Sequence, residues 1–436
     1  DGDNWCLTTK GSNESDDSHS SYYSNDWIGS QTERWRADSN DFDCLWSPSS
    51  SDTANKSNKS YTTKRILWSN WTEGMVRDPD VSPILFQYDN LFGNNNSDTD
   101  AKEVEKRLLK VLYQYGLVLI TGTPTHTDSI PVDDMSEATK RMHAGENDNE
   151  TAESAILRLA SMIGYHPLQT LYGSGVWSTS SSSTFYNNDD NDGDDCDSKE
   201  STSTADSAYG STSLPLHTDM TYLSNPPGVQ VFLMVQPATS SPLEGGSLFN
   251  DDNDDDDDGN NATTIQPKGQ SVYLDGFSAA HQLLLENPEA YHLLATTPRT
   301  YRCIDDEEGW HLEATGTVIE TLPRGTNEWG PVKSIRHNDL DRLPDLPPYP
   351  SMDCESDSFF YQKLKEAHEA WDDILRRDSM RLVIDLQPGD CVLVANHRCM
   401  HGRFAFQTSK FPRVVMGCYV GMDELSSKWR KGGFFL

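Results

Sequence analysis

The stretch "LPLHTDMTY", Leu214 to Tyr222, sets a histidine and an aspartate two residues apart in an otherwise apolar and hydroxyl-bearing run. In an extended strand, residues i and i+2 point to the same face, so His217 and Asp219 would present an imidazole and a carboxylate side by side. That is half of a metal site. Taken alone, it reads more simply as a polar pair on an exposed strand face, and a third ligand is needed before it carries chemistry.

The surrounding chain sets the class of molecule. Its 436 residues suffice for one elaborated domain with an extra module. A formal charge of -34, from 69 acidic against 35 basic side chains, would repel a phosphate backbone, so nucleic acid is excluded as a partner. Part of that acidity sits in "DDNDDDDDG" (Asp251–Gly259) and in Tyr186–Ser207, segments with almost nothing apolar to pack. They read as solvated acidic insertions near 180–207 and 250–264. The eight cysteines are scattered without a C-x-x-C pair, which argues against a zinc ribbon or a dense disulfide framework. No apolar run approaches the roughly 18 residues of a membrane helix, so no membrane partner is expected.

Residues 1–90 are expected to form a loop-rich, partly disordered module, because from Asp1 to about Ser60 the chain is rich in Ser, Asn and Asp around isolated tryptophans such as Trp5 and Trp27. Residues 91–436 carry stronger periodicity. "AKEVEKRLLKVLYQYG" repeats Val104, Leu108, Val111, Leu112 and Tyr115 at helical spacing and stops at Gly116; the strand "LVLITG" follows. "TAESAILRLASMIG" predicts a second helix ending at Gly164. The texture then turns to strand: "VQVFLMVQ", a turn at Gly245 and Gly246, "SVYLDG", "RTYRCI", "RLVIDL", "CVLVAN" and "RVVMGCYV". "FFYQKLKEAHEAWDDILRR" interrupts them as a long helix with Phe360, Leu364, Trp371 and Leu375 as its apolar stripe. The predicted fold is mostly β with flanking helices: a double-stranded β-helix, or jelly roll, behind the small N-terminal module.

A jelly roll can bring distant strand ends together, and "NHRCMHGR" (Asn396–Arg403) offers His397 and His401 as third ligands. Two histidines and one carboxylate make the facial triad of non-haem Fe(II) oxygenases, with open positions for a bidentate co-substrate and O2. Such an enzyme needs a cation for the far carboxylate of 2-oxoglutarate. Arg413, at the start of "RVVMGCYV", can grip it bidentately.

These motifs carry a family resemblance. "AYGSTSLPLHTDMTYLSNPPGVQVF", "VYLDGFSAAHQLLLENPEAYHLLATTP", "IRHNDLDR" and "NHRCMHGRFAF" with "RVVMGCYVGMDE" resemble the carnitine-biosynthesis branch of the TauD-like 2-oxoglutarate dioxygenases. That branch comprises trimethyllysine dioxygenase and gamma-butyrobetaine dioxygenase, and the resemblance runs with gaps from about Lys102 to Arg430. It implies that His217, Asp219 and His401 hold iron and act in catalysis, and that Arg413 binds 2-oxoglutarate. His397 stands where the family usually has Trp, which leaves it a supporting or structural place. Fe(II), 2-oxoglutarate and O2 follow as metal and co-substrates, with ascorbate as reductant.

The resemblance also implies a trimethylammonium substrate, and chemistry agrees on what would bind it: a quaternary ammonium has no N–H to donate and is best held by the faces of aromatic rings. Tyr172, Trp177, Tyr209 and Tyr419 match the family's cage positions, although Trp177 stands one residue further from Tyr172 than the family usually has it. "HTDMTY", "GVQVF", "IRHNDLDR" and "GCYVGMDE" lean toward the trimethyllysine enzyme, with Asn338, Asp341 and Arg342 as contacts for the amino-acid end of its substrate. The expected reaction is hydroxylation of N6-trimethyllysine to 3-hydroxy-trimethyllysine. The rivals are gamma-butyrobetaine hydroxylation, a taurine-type dioxygenase with another small substrate, and a non-catalytic jelly-roll binding protein. Family analogy suggests mitochondria or cytosol and leaves a homodimer open. The family's N-terminal zinc is expected to be absent, since Cys6, His19 and Cys44 make only three widely spaced candidates.

Overall fold

Short strands buried along both faces read as near-continuous apolar runs, and two sheets of such strands enclose a cavity between them. A computed structural model describes residues 4–9, 19–24, 64–92, 98–128, 130, 134–145, 150–171, 173–181, 210–238, 269–306, 309–324, 328–345, 354–406 and 411–434. The acidic insertions, the expected Gly245–Gly246 turn and Cys44 fall outside these residues, as do the side chains of Cys6 and His19.

The core strands, in chain order, are β1 (Leu85–Gln87), β2 (Leu117–Thr121), β3 (Trp177–Ser181), β4 (Leu214–His217) and β5 (Val229–Gln236). They continue with β6 (Ser271–Asp275), β7 (Arg381–Ile384), β8 (Cys391–Ala395), β9 (Cys399–Arg403) and β10 (Arg413–Val420). The larger, six-stranded sheet runs β1-β2-β8-β5-β10-β3 and the smaller, four-stranded one β7-β6-β9-β4. Pairing is antiparallel except between β1 and β2. This is the expected jelly-roll core.

The principal helices are α1 (Asp98–Tyr115), α2 (Ala152–Ile163), α3 (Gly276–Glu286), α4 (Pro288–Thr296), α5 (Cys354–Arg376) and α6 (Met422–Gly432). Gly116 ends α1 with φ +72, the left-handed conformation that glycine adopts without penalty. Thr151 caps α2 through a capping box with Ser154.

Side-chain parity decides what each strand offers the interior. In β6, Val272 and Leu274 join Trp371 and Ile374 of α5 in one apolar cluster, while Tyr273 faces the other way. In β10, Arg413, Val415 and Tyr419 line a cavity between the sheets, whereas Val414, Met416 and Cys418 enter the larger core. Both faces of β10 are therefore covered, which is why "RVVMGCYV" reads almost continuously apolar.

One expectation needs adjustment. "RTYRCI" does form a strand, Arg299–Asp305, but it pairs with Trp310–Gly316 in a separate hairpin and joins neither core sheet. Residues 64–90, within the expected 1–90 module, supply Trp68, Val76, Ile84 and Phe86 to the larger core.

Candidate active site

The cavity between the sheets is built from strand ends. β9 pairs with β4 so that His401 stands directly opposite His217. The two rings lie with centroids 4.5 Å apart. Asp219 follows β4 by two residues, and its Oδ1 is 3.5 Å from Nε2 of each histidine. The sequence pair His217 and Asp219 thus meets His401 across 184 positions of chain, a distance in sequence that strand register alone bridges.

Several groups fix this geometry. The Asp219 backbone is bracketed by Asn396, whose Oδ1 accepts from Asp219 N at 2.7 Å and whose Nδ2 donates to Asp219 O at 3.0 Å. The Thr218 N–H donates to His337 O at 2.7 Å. Met220 has φ 54, a left-handed conformation costly for a non-glycine residue and found where surrounding structure imposes it. His217 Nδ1 lies 2.8 Å from Pro215 O. Since a carbonyl only accepts, Nδ1 carries the proton, and the Nε2 lone pair is left facing Asp219.

The donors fit a divalent metal. His217, Asp219 and His401 each offer a ligand atom, all within 4.8 Å of one another. Asp219 Oδ2 is buried without a hydrogen-bond partner among the described residues, an orphaned anion oxygen of the kind a cation satisfies. Electrostatics agree. Burial opposes the charge of Asp219, but His401 and His217 outweigh it and draw its pKa below the ordinary carboxylate value. Burial likewise opposes charge on His217, yet the Asp219 hydrogen bond and charge raise it; burial dominates at His401 and lowers it to about 4.

Arg413 reaches the same cavity from the start of β10, buried, with its pKa lowered to about 9 by burial and by the neighbouring Arg403. Trp177 and Tyr419 also line it, ring centroids 6.0 Å apart and 34° between planes. Gly417 is opposite Trp177 in the β3–β10 pairing, and a Cβ there would stand 2.6 Å from the Trp177 ring; glycine lets the indole lie over the strand. Tyr172 and Tyr209, the other expected cage rings, lie outside the described residues.

Asn338 and Asp341 line the cavity as well. Asn338 Nδ2 donates to Asp341 Oδ2 at 2.9 Å, and Thr221 Oγ1 donates to the same oxygen at 2.8 Å. Asp341 is buried, and burial raises its pKa to about 6 against the partial opposition of these hydrogen bonds. Arg342, by contrast, is exposed, pairs with Asp339 at 3.2 Å and is not among the lining residues. Its position on the turn carries that side chain outward, away from the other residues expected at the amino-acid end of the substrate. His397 sits behind the site, with Nε2 3.0 Å from Pro226 O.

Sequence reasoning missed Arg403, which lines the cavity beside Arg413, and Asn396, which clamps Asp219. Arg403 had a signal: strand period two places it on the face of His401. Asn396 had none, because its partner is 177 positions away.

Comparison with known proteins follows this geometry. The chain is 33% identical over 236 residues to trimethyllysine dioxygenase of Neurospora crassa, covering 53% of this chain and 47% of that protein. It is 27% identical over 222 residues to gamma-butyrobetaine dioxygenase of Pseudomonas sp. strain AK-1, covering 51% and 46%. The chain thus spans about half the length of the curated relatives it matches. The solved structure of an asparagine oxygenase with Fe(II), 3-hydroxyasparagine and succinate is similar at a TM-score of 0.43 and 13% identity, covering 77% of this chain and 89% of that one. The family model described as taurine catabolism dioxygenase TauD, TfdA family matches residues 83–419, most of the chain and all of the cavity's strands from β1 through Tyr419, and the chain belongs to that family.

Proposed function

We propose that this protein is an Fe(II)- and 2-oxoglutarate-dependent dioxygenase that hydroxylates a trimethylammonium amino acid, N6-trimethyllysine in the first place. One observation carries the reading: a single cavity holds the His217–Asp219–His401 cluster, Arg413, the rings of Trp177 and Tyr419, and the buried carboxylate of Asp341. The relatives named trimethyllysine dioxygenase and gamma-butyrobetaine dioxygenase support it.

His217, Asp219 and His401 would hold the iron; when bound, the metal supplies O2 activation coupled to oxidative decarboxylation of 2-oxoglutarate, with ascorbate as an external reductant. The chain's own residues bind and orient. Arg413 would grip the distal carboxylate of the co-substrate. Trp177 and Tyr419, completed by Tyr172 and Tyr209, would hold the trimethylammonium and so decide which methylene stands at the reactive position. Asn338 would contact the amino-acid end. No protein acid or base is required.

Asp341 favours trimethyllysine over gamma-butyrobetaine. Trimethyllysine carries an α-ammonium that a buried carboxylate attracts, whereas gamma-butyrobetaine ends only in a carboxylate that Asp341 would repel. A mitochondrial or cytosolic setting belongs to this proposal by family analogy; among the described residues, no helix is long and apolar enough to cross a membrane.

A mass-resolved turnover assay tests the reading. The protein, with Fe(II), ascorbate and 2-oxoglutarate, is offered trimethyllysine and gamma-butyrobetaine in parallel, and oxygenated product is compared with succinate. Oxygenated trimethyllysine in step with succinate is expected. Succinate without either product would overturn the substrate, and no succinate at all would overturn the enzyme.

A further inference from the structure

We propose that Arg403 is a second guanidinium of the co-substrate site, donating from Nη1 to the distal carboxylate of 2-oxoglutarate beside Arg413; this rests on the dioxygenase reading above. Arg403 is two residues beyond His401 on β9, so the two side chains share the inward face, about 7 Å apart along the strand. A linear dicarboxylate with one end beside His401 has its other end at that position.

The two arginines form one basic pole. Arg403 and Arg413 are 5% and 7% exposed, and their Cζ atoms lie 4.6 and 5.8 Å from the centroid of the same ring, Phe406. Arg403 is only half engaged. Its Nη2 donates to Gly210 O at 2.8 Å and Thr212 O at 2.9 Å, while Nη1 is buried without a hydrogen-bond partner among the described residues. Arginines elsewhere in the core meet carboxylates, Arg299 with Asp345 and Arg398 with Asp275. Among the described residues, no carboxylate forms an ion pair with Arg403 or Arg413. Two adjacent buried cations lacking a counter-charge are unfavourable, and an incoming carboxylate relieves both at once. Arg413 can then supply a fork of two donors and Arg403 a third.

The rival explanation makes Arg403 a strap that merely ties Gly210 and Thr212 to β9. Calorimetric titration of 2-oxoglutarate into the full chain loaded with Mn(II), without substrate or O2, separates the two. Arg403→Gln should weaken binding at least about tenfold, the scale of one charge-assisted hydrogen bond. Arg403→Lys, which keeps the charge but lacks the Nη1 arm, should bind with intermediate affinity and serves as the test if the glutamine variant does not fold. Wild-type affinity in either folded variant, alongside lost binding in Arg413→Gln, overturns the role of Arg403 and leaves the dioxygenase reading standing. Absence of binding to the unaltered protein overturns both.

Discussion

Two buried arginines in one core have opposite surroundings. Arg398 meets Asp275 through Nε at 2.9 Å and Nη2 at 2.8 Å, and its remaining arms reach Gln114 O at 2.7 Å and Ile66 O at 2.6 Å. Asp275 in turn caps α3 through Phe277 N. Arg413, equally buried, meets no carboxylate among the described residues; the faces of Phe232 and Phe406 lie 5.9 and 5.8 Å from its guanidinium, and the cation of Arg403 is its neighbour. The first arrangement closes on itself and ties residues 64–70, α1, β6 and β9 into one body. The second stays open until something anionic arrives. A buried charge that is fully satisfied belongs to the fold, and one that is not points to a ligand.

Paired substitutions give the largest effects and can break this contrast. Arg398→Ala leaves Asp275 uncompensated at 0% exposure and should lower unfolding free energy by about 3–5 kcal/mol in urea titration. Arg413→Met replaces an unpaired cation with an apolar chain of similar volume, so ligand-free stability should hold or rise while 2-oxoglutarate binding is lost. Equal destabilisation by both would show that Arg413 is structural after all. Asp219→Ala extends the contrast to the other pole. Fe(II) affinity should fall by about 100-fold or more, since even partners of metal ligands cost 10–100-fold, whereas metal-free stability at neutral pH should fall only by the modest amount that the lowered Asp219 pKa provides. Equilibrium dialysis and thermal unfolding read the two quantities separately.

The same contrast explains what could be read from sequence. "RVVMGCYV" and "VQVFLMVQ" were legible as strands, and the structure puts Arg413 and Tyr419, an even number of residues apart, in one cavity. His217, Asp219 and His401 were legible because chemistry limits which residues can hold a metal. Satisfaction was not legible. Nothing local distinguishes Arg398, Arg403 and Arg413; register and packing pair the first with Asp275 and, among the described residues, bring no carboxylate to the other two. Arg342, a candidate contact by its motif, turns outward to Asp339, which the motif alone does not reveal. The conformation of Met220 and the Asn396 clamp were equally hidden, since both are imposed by tertiary structure.

A smaller effect is expected at the aromatic wall. Trp177→Ala or Tyr419→Ala removes one face from a desolvated cation, about 2 kcal/mol or thirtyfold in trimethyllysine affinity. Succinate should then form in excess over oxygenated product, because a loosely held chain leaves its methylene out of position. Unchanged affinity and coupling in both variants would remove the cage from the proposal.

Asp341 sharpens the comparison most finely, because it is a buried carboxylate whose hydrogen bonds, among the described residues, come from the neutral donors Thr221 and Asn338. Burial raises its folded pKa to about 6 from 3.8, so folding favours the protonated form. The stability that this protonation provides is complete below the unfolded value and is lost as pH rises through about 6. Asp341→Asn should therefore stabilise the ligand-free protein at pH 8 and change it little near pH 4. Substrate reverses the preference, since an α-ammonium needs the ionised carboxylate. At pH 5 only about a tenth of Asp341 is ionised, so affinity for trimethyllysine relative to gamma-butyrobetaine should fall by up to about tenfold between pH 8 and pH 5. Taking the ratio of the two substrates cancels the titration of groups both require. In Asp341→Asn the ratio should be lower and flat with pH; a ratio that still climbs through pH 6 in that variant would place the selective charge elsewhere in the cavity.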